Sequence, residues 1–245
     1  MHRQGFTLTE LLVCFLVTAI IMTLMLPALG QVRAHAVGLA CLVNIRCTGV
    51  LLAGYSTDSR DALPFGGYER RTIELPSGDA LIVGGDRGFG SGVWSALFPG
   101  EWSGRDWNPG YSCSMHRRAR ELDTYRSRWD VLPSLFEMSD AVWLDASTMT
   151  PEHEGAFPDR ANMVSDVLFP SKKAYLFEFP GFCASGPEAE VWIYQIGQTP
   201  YLDTSVLCFD GSAARRKQAD GLPAVGNRSW PYFYTVNGLR GRDLP

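Results

Sequence analysis

Few side chains in this 245-residue sequence are grouped as catalysis or metal binding requires. The densest ligand-capable set is Glu152-His153-Glu154 with Asp159. Hard oxygen donors of this kind suit calcium, the one cofactor the set brings to mind. It follows no calcium-loop spacing, so an exposed charged loop is the expected reading and no cofactor is expected. The histidines are His2, His35, His116 and His153, of which only His116 and His153 fall in the larger, soluble part of the chain. His35 sits in a helical stretch with no ligand partner four residues away. The sequence contains no G-x-S-x-G elbow, no H-E-x-x-H and no phosphate-binding loop. An enzyme is therefore not expected.

The six cysteines raise the question of compartment. Cys14 lies in an apolar segment apart from the others. Cys41 and Cys47 are offset by about 9 Å along one helix, too far for a bridge between them. Cys113, Cys183 and Cys208 form an odd set, so at most one bridge joins them unless one reaches a helix cysteine. Cys183 with Cys208 is the pair expected. Two basic runs, Arg117-Arg118-Ala119-Arg120 and Arg215-Arg216-Lys217, offer charge to phosphate or to an acidic partner. With a net charge of -4, nucleic acid is not an expected ligand, and solvated faces or contacts between subunits are the simpler reading. The seven tryptophans are spread along the chain and read as core anchors rather than a sugar-binding platform.

One acid stands apart. Glu10 is the only charge between Phe6 and Leu29, a run of 24 residues. At about 1.5 Å per residue this run spans roughly 36 Å, enough for a bilayer core of about 30 Å. It is too long for an ordinary secretory signal, and Pro27-Ala28-Leu29-Gly30 lacks the small-residue pattern of a cleavage site. A retained, single-pass helix in the lipid bilayer of the inner (cytoplasmic) membrane is expected. Arg3 precedes it, so the positive-inside tendency keeps the start cytoplasmic and exports the rest. A carboxylate beside hydrocarbon costs several kcal/mol unless paired or neutralised, although the start of a helix welcomes negative charge.

The order of residues here is informative: Gly5, Phe6, Glu10, then Pro27 late in the span. GFTLTE followed by an apolar stretch resembles the amino-terminal signal of type IV pilins and type II secretion pseudopilins. The resemblance implies cleavage by a prepilin peptidase between Gly5 and Phe6, with N-methylation of Phe6. It implies that Glu10 pairs with the new amine of a neighbouring subunit, and that Pro27 is the family's helix-kinking proline. A proline there would kink or locally melt the helix. The implied partners are the peptidase, sibling pilin subunits and an inner-membrane assembly platform. The implied function is that of a structural subunit of a pseudopilus or pilus-like filament. A membrane-tethered module that binds secreted cargo, DNA or a surface is the alternative.

These residues need elements to hold them. Leu29, Val32, Ala36, Leu39, Val43, Cys47 and Val50 recur at helical spacing, which predicts one apolar stripe on a helix from about Phe6 to Tyr55. Its outer half would be the spine of a head. RTIELPSGDALIVGG reads as a hairpin around Pro76-Ser77-Gly78-Asp79, and SGVWSALF as a short helix ended by Pro99. LDTYRSRWDVLPSLFEMSDAVWL reads as helix or irregular chain. KAYLFEF, EVWIYQI and SVLCF read as strands, and Asp210-Gly211 predicts a hairpin joining SVLCF to SAARRK. The expected organisation is a leader at 1–5, a transmembrane and assembly helix at 6–29, its outer half at 30–59, and a periplasmic head at 60–245. The fold class is α+β and pilin-like, a long helix packed on an antiparallel sheet. CLVNIRCTGVLLAGYSTDSRDALP and the ending YTVNGLRGRDLP are similar to relatives of the major pseudopilin of type II secretion. Members of that group often carry a histidine ahead of an Asp-Gly hairpin, and Pro200 stands in its place here.

Overall fold

The computed structural model describes residues 7–65, 71–74, 80–83, 94, 97–103, 106–107, 109–111, 136–153, 157–178, 203–217, 220–225, 232 and 235–245. One helix, α1 (Leu8–Asp58), dominates the first quarter of the chain. Thr7 caps its start, Pro27 does not interrupt it, and the Ser59 N–H closes its last turn on the Tyr55 carbonyl. Arg60 and Asp61 then adopt left-handed backbone and turn the chain away. α1 is long and apolar enough to cross a membrane. Every described side chain from Leu8 to Ala36 is exposed, and burial begins only at Val37 and Gly38.

Beyond that point α1 packs on an antiparallel sheet of four strands in the order β5 (Phe136–Met138), β6 (Ala174–Glu178), β7 (Asp203–Cys208), β8 (Ala213–Lys217). The expected hairpin is present: Leu207 pairs with Ala213 and Asp203 with Lys217 across the turn at Asp210 and Gly211. Gly211 takes φ +81°, the left-handed conformation such a turn requires. The Asp210 carboxylate accepts from the Ser212 N–H at 2.9 Å and pins it. The other expected hairpin pairs β1 (Arg71–Glu74) with β2 (Ala80–Val83). A third, very short pair joins β3 (Trp102–Ser103) to β4 (Asp106–Trp107). Phe136–Met138, read from sequence as helix or irregular chain, is an edge strand of the main sheet; pairing with β6 overrides local preference. EVWIYQI and most of SGVWSALF lie outside the described residues.

The sheet has two apolar faces. Cys41, Ile45 and Leu52 of α1 meet Phe136, Met138, Leu176, Leu207 and the buried Trp94 and Trp143 on one side. Trp94 anchors as a core tryptophan should, its indole N–H donating to the Phe136 carbonyl at 2.9 Å. On the other side Phe177, Val206 and Cys208 pack with Tyr232 and Leu244. Helix and sheet approach so closely at Gly49 that a Cβ there would stand 2.5 Å from Leu207 Cδ2.

The stripe Leu29, Val32, Ala36, Leu39, Val43, Cys47, Val50 does not face the head. Leu39, Val43 and Val50 are 63%, 56% and 75% exposed. The buried face is Cys41, Ile45, Thr48, Leu52 and Ser56. That row brings Ile45 and Leu52 into the core, with Thr48 and Ser56 buried alongside them. Thr48 Oγ1 donates to the Asn44 carbonyl at 3.0 Å and to the Tyr111 carbonyl at 3.3 Å. α1 thus carries two apolar faces, one of which its own chain leaves uncovered.

Candidate functional site

At the start of α1, two residues close in sequence build a closed loop of hydrogen bonds. Thr7 is the N-cap and Glu10 the third residue of the helix. The Thr7 backbone N–H donates to Glu10 Oε2 at 2.8 Å, and the Thr7 hydroxyl donates to the same oxygen at 2.7 Å. The Glu10 N–H returns to Thr7 Oγ1 at 3.4 Å. This reciprocal capping box satisfies two amide groups that a helix start otherwise leaves unpaired. The sequence signal for it is Thr-x-x-Glu ahead of an apolar run, which the sequence reading passed over in favour of Glu10 alone. Within one chain, then, Glu10 is neither buried nor without partners; it is held at the helix mouth by Thr7.

Residues 1–26 match the family model for the prokaryotic N-terminal methylation motif. The chain carries a prepilin-type signal. No curated protein and no solved structure matches the chain. The prepilin-type signal is the signature of type IV pilins and pseudopilins, and the long N-terminal helix on an antiparallel sheet is the α+β, pilin-like arrangement expected with it. Gly5 and Phe6, on either side of the expected cut, lie outside the described residues, and the described chain begins at Thr7.

The other residues singled out from sequence are not brought together. Glu152 is exposed, and His153 stacks on Phe157 with ring centroids 4.6 Å apart. Asp159 bridges to Leu144 through backbone, and Glu154 lies outside the described residues. Among the described residues no three His, Cys, Asp or Glu side chains gather as a metal site would need.

The expected Cys183–Cys208 bridge is not formed: Cys208 is a free thiol. It sits on β7 facing Tyr232 and Leu244, and burial pushes its thiol up to about 11. Cys41 on α1 is disulfide-bonded instead, while Cys14 and Cys47 are free. Cys113 and Cys183 lie outside the described residues.

A second polar centre had no signal in the sequence. Lys173 and Asp243 are both wholly buried and meet at 2.9 Å, Nζ to Oδ2. The same carboxylate oxygen accepts from the Ala174 N–H at 2.8 Å. Thr235 Oγ1 donates to Asp243 Oδ1 and accepts from Lys173 Nζ, which also reaches Ser139 Oγ at 3.5 Å. Burial pushes the Lys173 ammonium below its ordinary range and the Asp243 carboxyl above its own, each against the attraction of the other. Backbone bonds from Asp243 and Leu244 to the Lys172 carbonyl, at 2.9 and 3.1 Å, complete the clasp. With no access to solvent, this centre is structural: it ties the RGRDLP ending to the turn before β6.

Proposed function

We propose that the chain is a pilin-like structural subunit, cut by a prepilin peptidase between Gly5 and Phe6, methylated on Phe6, and assembled into a pseudopilus or type IV pilus-like filament. The observation that carries this is the second apolar face of α1. Leu39, Val43 and Val50 stand exposed above a span, Leu11 to Leu29, of which the head covers nothing. Such a helix has its membrane half in lipid and then in siblings, and its outer stripe against siblings alone. In this reading Glu10, released from Thr7, takes the Phe6 amine of the next subunit as partner, so the ion pair exists only in correct register. The disulfide at Cys41 supports export of the head, since such bonds persist in oxidising compartments.

Mass spectrometry of the membrane-purified chain tests the proposal. The expected product lacks residues 1–5 and carries one methyl group on Phe6, and it appears in a sheared filament fraction. An intact Met1 in cells with an active prepilin peptidase would overturn it.

One feature favours the alternative of a tethered binding module. A groove of about 500 Å³ runs between α1 and the β7–β8 turn, lined by Arg46, Val50, Tyr175, Leu207 and Phe209. Met163, Leu168 and Phe169 are exposed on the loop that borders it through Val164. A subunit found only as a monomer, with ligand-dependent protection of this groove, would support that reading instead.

A further inference from the structure

The basic run Arg215-Arg216-Lys217 takes on meaning from its direction. Arg46 Nη2 donates to the Ala213 carbonyl at 3.1 Å, whereas a Cβ at Gly38 would stand 2.7 Å from Arg215 Nη1. From Ala213 to Arg215, β8 therefore descends along α1 from position 46 to position 38, towards the apolar span. Those eight helix positions are about 12 Å; two strand residues cover roughly 7 Å and the long arginine side chain the rest. The Asp210-Gly211 turn points away from the span, and the open end of the hairpin points at it.

Gly38 lies about 13 Å along the helix from Leu29, and the Arg215 backbone stands about 5 Å above Gly38, the stretch its side chain covers. Lys217, two residues on, is roughly 7 Å lower, about 11 to 12 Å above the hydrocarbon edge, and its side chain, about 6 Å long, brings the ammonium to a headgroup layer some 5 to 8 Å thick. Arg33, on α1, stands about 6 Å beyond Leu29, at the level that ammonium reaches. Arg33, Arg216 and Lys217 are exposed and Arg215 is half-buried. Among the described residues the carboxylates at this end are Asp203, in register with Lys217, and Asp220, which accepts the Lys217 N–H at 3.2 Å. Glu178 is buried two strands away. Among the described residues three exposed cations, Arg33, Arg216 and Lys217, thus stand at this end in a chain whose net charge is -4. Cations at headgroup height are attracted by anionic lipid, and the attraction extends about one Debye length, ~8 Å at physiological salt.

The geometry points to the open end of the β7–β8 hairpin, with Arg33, as a docking surface for an anionic bilayer, the same bilayer that α1 crosses. It rests on the reading of Leu11–Leu29 as membrane-spanning. The surface would hold the head down on the membrane before assembly and let go as α1 is drawn out.

The test uses the full processed chain in nanodiscs, made either of phosphatidylcholine alone or of phosphatidylcholine with phosphatidylglycerol, read by hydrogen exchange. Residues 213–217 are expected to exchange more slowly in the anionic discs. The difference is expected to vanish at high salt and in the Arg216→Gln/Lys217→Gln double variant, while β6 exchange stays unchanged as the control for folding. Equal exchange in the two discs overturns the proposal. Protection present in both discs and insensitive to salt also overturns it, and assigns the surface to protein contact. Residues 11–26 are followed in the same samples: if they exchange freely, it is the membrane-spanning reading that has failed.

Discussion

Lys173 and Asp243 form an ion pair from which water is entirely excluded, and they stand 70 residues apart in the chain. Taking both charges out of water is expensive, and what offsets it is the completeness of the network: Thr235, Ser139 and the Ala174 N–H leave neither partner short of a bond. Breaking it from one side is the severe change. Asp243→Ala strands a buried ammonium and is expected to destabilise the head by about 3–5 kcal/mol, seen as a lowered denaturant midpoint with the slope unchanged. The double variant Lys173→Met/Asp243→Leu removes both charges and is expected to be more stable than Asp243→Ala alone. Equal losses in the two would show that packing, not charge, holds this ending in place.

Glu10→Ala removes the carboxylate from both of its settings, the capping box and the proposed pair with a sibling amine. The cap is worth about 0.5–2 kcal/mol of helix stability, in a helix 51 residues long. The variant is therefore expected to be inserted and cut normally, as read by mass, yet to be missing from the filament fraction. Normal incorporation would sink the assembly role. Thr7→Val separates the two settings: it opens the capping box and leaves Glu10 available, so incorporation is expected to survive.

Cysteine reactivity divides by burial. Cys47 is exposed and Cys208 is not. At pH 8, iodoacetamide is expected to label Cys47 and spare Cys208 until the chain is denatured. The raised Cys208 value also has a thermodynamic side. The folded state keeps the thiol proton that the unfolded chain releases near its ordinary value of 9.0, so this contribution is fully present below that pH and is lost as pH climbs through about 11. Cys208→Ser, measured by thermal melts across this range, is expected to flatten that part of the alkaline decline.

Gly49 has a narrower role than glycine usually does. Its backbone is ordinary helix, but Leu207, 1% exposed and closed in by the core, occupies the space a side chain would need. Gly49→Ala should gain helix propensity and still lose about 1–3 kcal/mol overall from overpacking. Gly54→Ala, which meets nothing within 4 Å, is the matched control and is expected to be neutral or stabilising.

What could be read from the sequence was whatever is local. The span from Phe6 to Leu29, the Asp210-Gly211 hairpin and the short apolar run in KAYLFEF each declare themselves within a few residues, and the four-residue set at Gly5, Phe6, Glu10 and Pro27 declares the signal. The face of α1 did not. Leu39, Val43 and Val50 are greasier than Thr48 and Ser56, so counting apolar residues picks the row meant for something outside the chain. The row that meets the sheet mixes Ile45 and Leu52 with the buried hydroxyls of Thr48 and Ser56, so a count of apolar residues undervalues it. The cysteines failed for a related reason. Cys208 lies in a promising exported segment, but β7 turns it inward onto Tyr232, and it is Cys41 on α1 that is bridged. Lys173 and Asp243 gave no hint, because a lone lysine beside a turn and a lone aspartate near the end of the sequence look like solvated charge until the fold joins them.

α1 adds no burial to the head until Val37. A melting curve of the head therefore registers almost nothing of the preceding segment. Substitutions there would pass every assay of folding and fail only when subunits must recognise one another. The two halves of a single unbroken rod thus answer to different tests, the outer one to the integrity of its own chain and the inner one to the company it keeps.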